Sequence, residues 1–330
     1  LIAVFLLISF SNLLISSLIT SSLKTDFHQK STQKYQNSHF QKPTNSRPII
    51  GIIARPIHTH PPFQTFIMAS YVKLIEQSGA RVIPIPYNLP ESNITYLLDH
   101  INGLILPGGA DDLIYSNNTL SDYTAKLKFI VEYSKSLNQK GFHFPILAIC
   151  LGFEQLVLYE FQHKDIIGEY DSKDYASNMM FMDGADHSRL YKGINTTISE
   201  QFNTIYNQHF RGFDKSIFDE IKELKDSYKV LTTSFDRRGD EFVSSVEHKK
   251  YPFYGLQFHP EKVSFIWDSK KDIPRSMEAI KFNQSLVNFF ISEARQNLNN
   301  FDTEEEAFNL LVENYTLKLT RSSNQDIYLM

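Results

Sequence analysis

The chain has 330 residues, 42% of them hydrophobic and 21% charged, with a formal net charge of −4. That balance excludes the basic footprint of a nucleic-acid binder, and no Lys/Arg run marks a membrane-surface segment. Cys150 is the only cysteine, so no disulfide can form within the chain.

Residues 1–24, opening LIAVFLLISF, are apolar and uncharged until Lys24. They are expected to be a secretory signal peptide outside the fold, with a retained signal anchor as the competing reading. Residues 25–47 are polar and aperiodic, a linker. The folded domain is expected over 48–300, followed by a C-terminal helical extension and tail at 301–330. RPIIGIIAR reads as a buried strand. FQTFIMASYVKLIEQSGA (63–80) has helical spacing and stops at Gly79. ARVIPIPY is strand-like, and SNITYLLDHI is a short helix opening at Ser92 or Asn93. NGLILPGGADD is a strand that breaks into a glycine loop. Residues 121–139 are helical, FPILAI is a buried strand, and GFEQLVLYEF is a helix. This alternation predicts an α/β fold, a mostly parallel central sheet flanked by helices. DSYKVLTTSFD, DEFVSSVEHKK and FYGLQFHPE stand close together and predict an antiparallel extension of that sheet. A helix is expected in the latter part of 268–297, and another at EEEAFNLLVENY before a polar tail.

Five N-x-S/T sequons stand at Asn93, Asn117, Asn195, Asn283 and Asn314. With a signal segment they point to the secretory pathway, ending in a lysosome or vacuole or outside the cell. A lone thiol on an oxidising route is a liability unless it is buried or used.

The surroundings of Cys150 favour use. In AICLGFE a strand ends at Ile149, Cys150 takes the turn, and Gly152 opens a helix. That is the geometry of a nucleophile elbow with cysteine as nucleophile. The helix start favours a thiolate and is expected to present the sulfur outward, while the Leu151 N–H points where an oxyanion would form. A buried structural cysteine is the competing reading. Among eleven histidines, His259 ends an apolar strand before Pro260, and Glu261 stands two residues on, placed to orient the ring. Alone, H-P-E reads as a turn with a solvated histidine; beside an elbow cysteine it reads as a triad. In LILPGGADD, Gly109 offers a second oxyanion amide, or else a plain strand-ending turn. No metal-ligand spacing occurs, and no cofactor is called for.

These stretches resemble the gamma-glutamyl hydrolases, folate polyglutamate peptidases of the class I glutamine amidotransferase-like superfamily. The likeness runs from RPIIGI through ASYVKLIEQSGARVIPI, INGLILPGG, PILAICLGFEQL, DHSRL, NQHF, VLTTSFD and YPFYGLQFHPEK to Trp267. It implies that Cys150 attacks a gamma-glutamyl amide to form a thioester, that His259 is its acid and base, and that Glu261 holds the imidazole. It also implies a role for His209 in NQHF, as a substrate contact, against a satisfied structural histidine. His187 and Arg189 in DHSRL match a family loop where a guanidinium can hold a glutamate carboxylate, against an ordinary surface pair. Tyr71 and Lys73 match as well, and helix packing explains Tyr71 equally. Ala148 stands where the family commonly has glycine. Glu154 and Phe153 stand where glutamine amidotransferases carry Gln and His, which speaks against ammonia delivery to a synthase partner. The implied substrate is a folate polyglutamate. Other small gamma-glutamyl compounds, and a non-catalytic binding protein, are the alternatives. No nucleic-acid or stable membrane partner is expected, and a homodimer is left open.

Overall fold

The computed structural model describes residues 44–57, 64–115, 117, 119–161, 166–319 and 325–330. The expected signal segment 1–24 and nearly all of the linker 25–47 lie outside the described residues.

In chain order the elements are β1 (Ile49–Pro56), β2 (Thr65–Met68), α1 (Ala69–Gln77), β3 (Arg81–Pro86), α2 (Glu91–His100), β4 (Gly103–Leu106), α3 (Asp122–Gln139), β5 (Ile146–Ile149) and α4 (Leu151–Glu160). Then come β6 (Gly168–Ser177), β7 (Met180–Phe181), α5 (Thr197–Gln201), β8 (Ile205–Gly212), α6 (Ile217–Glu220), α7 (Lys222–Ser227), β9 (Tyr228–Phe235) and β10 (Glu241–His248). Last are β11 (Phe253–Leu256), α8 (Pro260–Phe265), α9 (Met277–Ala294), α10 (Glu304–Leu310), β12 (Thr316–Lys318) and β13 (Ile327–Leu329).

The centre of the main sheet is parallel. β3 pairs β1, β1 pairs β4, β4 pairs β5, and β5 pairs β11. β10, β9 and β7 continue it antiparallel on one flank. The uninterrupted apolar strands have a direct cause: both faces of this sheet are covered. In β1, Ile49 and Ile53 pack with Leu127 of α3 and Leu156 of α4 on one face. Ile50 and Ile52 pack with Leu74 of α1 and Phe290 of α9 on the other. Each such fully buried aliphatic side chain contributes about 1.5–3 kcal/mol relative to exposure. Helix starts are set where a hydroxyl can accept a free amide. Ser121 accepts from Thr124 N at 3.2 Å, and Ser276 from Ala279 N at 3.1 Å.

Three expectations are corrected. Only the second half of 63–80 is helical. Thr65–Met68 forms β2, buried on alternate residues, because it is ladder-bonded to β1 on one side and β13 on the other. α2 starts at Glu91, since the Pro90 carbonyl already accepts from Asn93 N and Ile94 N. The tail is partly strand: β12 and β13 pair with each other, and β13 pairs with β2. A separate two-stranded antiparallel ribbon, β6 with β8, had no counterpart in the sequence reading.

The carboxyl ends of β1, β4, β5 and β11 lie along one edge of the sheet. In α/β sheets ligands bind outside that edge.

Candidate active site

Cys150 is the N-cap of α4 and adopts φ 52°, ψ −111°, a left-handed backbone rare for a side-chain-bearing residue. The turn is held from both sides: Cys150 N donates to Leu256 O at 2.7 Å, and Glu154 N donates to Cys150 O at 2.9 Å. Gly152 is required there, because a Cβ would collide with the Leu106 carbonyl. Strain at one over-determined residue marks a functional site. The expectation of an outward, acidified thiol is corrected. Cys150 is only 3% exposed, at the floor of a cavity. Burial, then the charge of Glu154, pushes its thiol up to about 12, against the Leu151 N–H and Lys262, which pull it down.

His259 caps α8, whose first residue is Pro260, a favoured start. Its backbone N–H donates to Tyr206 O at 2.9 Å. Ring Nδ1 lies 2.7 Å from Glu261 Oε1. A carboxylate can only accept, so Nδ1 carries the proton and neutral Nε2 is bare. Nε2 is buried with no hydrogen-bond partner among the described residues. Burial holds His259 below the ordinary histidine range despite Glu261. Burial would push Glu261 up, but His259 and Lys262 together hold its carboxyl low.

Gly108 joins the two halves. A Cβ on it would stand 2.7 Å from His259 Cε1 and 3.2 Å from Cys150 Cβ. These two distances bound the separation of the two side-chain atoms at about 5.9 Å. The Gly108 N–H donates to Tyr71 OH at 2.8 Å. Gly109 lines the cavity, and a Cβ there would strike the Arg55 guanidinium. Of the two amides after Pro107, the first is thus already engaged by Tyr71.

The cavity, about 510 Å³, opens over Cys150 and His259. That lies within the ~300–1,000 Å³ of small-molecule sites. Its wall carries Arg55, Lys173, Arg211, Lys262 and Lys271 against Glu154 and Asp268. A protein of net charge −4 therefore presents a locally cationic cleft, which attracts anions. Glu154 Oε1 accepts from Gln257 Nε2 at 3.2 Å, and its Oε2 lies 3.1 Å from Arg211 Nε. Arg55 Nε donates to Asp111 Oδ2 at 2.7 Å.

The Peptidase C26 model matches residues 48–261, a stretch that holds the elbow, His259 and Glu261. The chain belongs to the Peptidase C26 family. It is 34% identical over 278 residues to gamma-glutamyl hydrolase B of Dictyostelium discoideum, covering 82% of this chain and 79% of that one. It is 35% identical over 277 residues to gamma-glutamyl hydrolase 2 of Arabidopsis thaliana, covering 81% and 78%. With gamma-glutamyl hydrolase of Homo sapiens it shares 34% over 275 residues, covering 82% and 84%.

In this C26 chain His209 also lines the cavity. Its Nδ1 donates to Arg211 O at 2.8 Å, Nε2 lies 3.3 Å from Asn207 Oδ1, and burial pushes the ring down to about 3. It is therefore a neutral group. Arg189 and His187 are not brought to the site. Arg189 Nη2 donates to the carbonyls of His248 and, at 3.1 Å, Tyr251. It borders a different cavity, with His143 and Pro252 ahead of β5 and β11. His187 is 87% exposed beside Asp186. A carboxylate clamp at DHSRL is thus corrected, because the guanidinium is occupied by backbone carbonyls. Asn283 is also removed from the sequons: it is fully buried in α9 and its amide donates to Thr204 O and Ala279 O, both at 2.8 Å. Asn93, Asn117, Asn195 and Asn314 are exposed.

Sequence reasoning missed Gly108, Arg211, Lys262, Lys173 and Lys271. Lys262, directly after Glu261, and Arg211, two residues after His209 and so on the same strand face, carried a usable signal. The lysines at 173 and 271 carried none. Among the described residues no group of three His, Cys, Asp or Glu side chains is arranged to hold a metal ion, and no described helix is long and apolar enough to cross a membrane.

Proposed function

We propose that this chain hydrolyses the gamma-glutamyl amide bonds of folate polyglutamates through a Cys150 thioester. The observation that carries the reading is the bare, buried Nε2 of His259 across Gly108 from Cys150, in a Peptidase C26 chain.

The resting pair is a neutral thiol and a neutral imidazole, since burial moves both away from their charged forms. Attack is then coupled to proton transfer. Cys150 Sγ bonds to the side-chain carbonyl carbon as its proton passes to His259 Nε2, and Glu261 stabilises the imidazolium. The negative oxygen is held by the Leu151 N–H and by Gly109, each such donor being worth roughly 2.7–4 kcal/mol. Nε2–H then protonates the leaving amine, the C–N bond breaks, and the thioester remains. Water, giving a proton to Nε2, cleaves the thioester and restores the thiol. The cationic wall draws in the anionic tail of the substrate. The chain travels the secretory route to a lysosome, a vacuole or the cell exterior, as the apolar segment 1–24 and the four exposed sequons suggest.

The test is product analysis of a folate polyglutamate digested by wild type and by Cys150→Ala. Wild type is expected to release glutamate or short gamma-linked chains, and Cys150→Ala nothing, with a thermal transition that stays cooperative and is lowered only by the loss of one buried sulfur. Equal turnover by both sinks the thioester. A Cys150→Ala protein that fails to fold returns Cys150 to a packing role.

A further inference from the structure

A gamma-linked glutamate chain carries one free α-carboxylate per residue, so a site can read the chain as well as the bond. The wall formed by β6 and β8 has the means. The two strands lose register between Lys173, opposite Gln208, and Tyr175, opposite Asn207, which leaves Asp174 as the extra residue of a bulge. Asp174 has φ 55°, the only described non-glycine residue besides Cys150 in the left-handed region. Bulges beside active sites re-aim side chains, and this one turns Lys173 to the cavity wall.

The strained conformation is held from four directions. Tyr206 OH lies 2.8 Å from Asp174 Oδ1, and Asp272 N donates to the same oxygen at 3.0 Å. Arg237 Nη2 donates to the Asp174 carbonyl at 2.5 Å, and Lys271 Nζ stands 3.7 Å from Asp174 Oδ2. The turn 268–272 is therefore docked on the bulge, and it brings Lys271 to the same wall. Lys271 faces the carboxylate of Asp174. Asp268 is on the wall too, and its Oδ1 accepts from Lys270 N at 3.0 Å within its own turn. Arg55, Arg211 and Lys262 each have a carboxylate within 4 Å. Lys173 makes no ion pair among the described residues and is exposed at the rim.

We propose that Lys173, aimed by the Asp174 bulge and flanked by Lys271, is a subsite for an α-carboxylate of the gamma-glutamyl chain beyond the scissile bond. The subsite rests on the gamma-glutamyl hydrolase reading and deepens it: the enzyme selects for chain length. Lys271, released toward the ligand, and the Lys173 ammonium supply two donors to one carboxylate.

The experiment has two arms. In the Cys150→Ala background, gamma-linked triglutamate is titrated by calorimetry. Lys173→Ala is expected to raise Kd about tenfold, about 1.4 kcal/mol, while Lys173→Arg keeps Kd within about threefold of the parent. In the active enzyme, the ratio of kcat/KM for gamma-linked triglutamate to that for gamma-glutamyl-p-nitroanilide falls about tenfold in Lys173→Ala, through KM. An unchanged Kd, or an unchanged ratio of the two substrates, overturns the subsite. If wild type cleaves neither substrate the hydrolase reading fails, and the calorimetric arm still decides the subsite.

Discussion

Gly108→Ala tests the geometry that joins nucleophile and base. The new methyl group would stand 2.7 Å from His259 Cε1 and 2.9 Å from Tyr71 OH, where ordinary contacts begin at 3.4 Å. The imidazole must retreat by about 0.7 Å, or Tyr71 must give up the Gly108 amide. Tyr71 is 3% exposed and has little room. His259 is clamped through Glu261 and through its own N–H to Tyr206 O, so it retreats by rotating away from Cys150. A misplacement of about 1 Å costs on the order of 10²-fold, or about 2.7 kcal/mol in the barrier. Overpacking costs roughly 1–3 kcal/mol of fold stability. Gly108→Ala is therefore expected to lose about 10²-fold in kcat/KM on a gamma-glutamyl amide while still unfolding in one cooperative transition. Steady-state kinetics and a thermal melt read the two effects separately. Activity within twofold of wild type would refute the claim that contact across Gly108 sets the distance from base to thiol.

Stability should decline in mild acid. Burial holds His209, His248 and His259 below the ordinary histidine range. Their unfolded counterparts take up protons below about pH 6.5, so the unfolded state binds more protons there, and each histidine removes about 1.4 kcal/mol per pH unit. Urea midpoints are expected to be level above about pH 7 and to fall from 6.5 toward 5; a midpoint rising over that range contradicts the assignment. Activity should outlast this decline, because a lowered His259 keeps Nε2 free to accept a proton in mildly acidic medium. Glu154→Gln removes the charge that, after burial, raises the Cys150 thiol most, and keeps the acceptor for Gln257. Alkylation of Cys150 by iodoacetamide at pH 8.5 should speed up several-fold; an unchanged rate would show that burial alone sets the thiol.

The chemistry was legible because it is local. A small residue, a cysteine and a glycine between a buried strand and a helix admit few backbone paths, and the structure puts φ 52° at Cys150. His259 was found for a similar reason, although β11 already ends at Leu256: Pro260 opens a helix rather than ending the strand, and leaves His259 as its cap. The thiol's environment was not legible: Cys150 is buried in an apolar cluster that also holds Tyr71, Leu256 and Phe258, residues from elsewhere in the chain. The helix forecast over 63–80 failed in its first half because pairing with β1 and β13 is non-local. Arg189 misled because a guanidinium in a matching loop reads the same whether it faces a substrate or two backbone carbonyls.

Among the described residues the ribbon β6–β8 makes no ladder with the main sheet, whose β5 runs into Cys150 and whose β11 ends three residues before His259. Tyr206 of that ribbon nevertheless ties the two together, its carbonyl accepting the His259 N–H and its hydroxyl meeting Asp174. Selection, or a mutagenesis library, at Lys173 and Lys271 would retune which tails the proposed subsite accepts, whereas a change at Asp174 reaches His259 as well, by way of Tyr206.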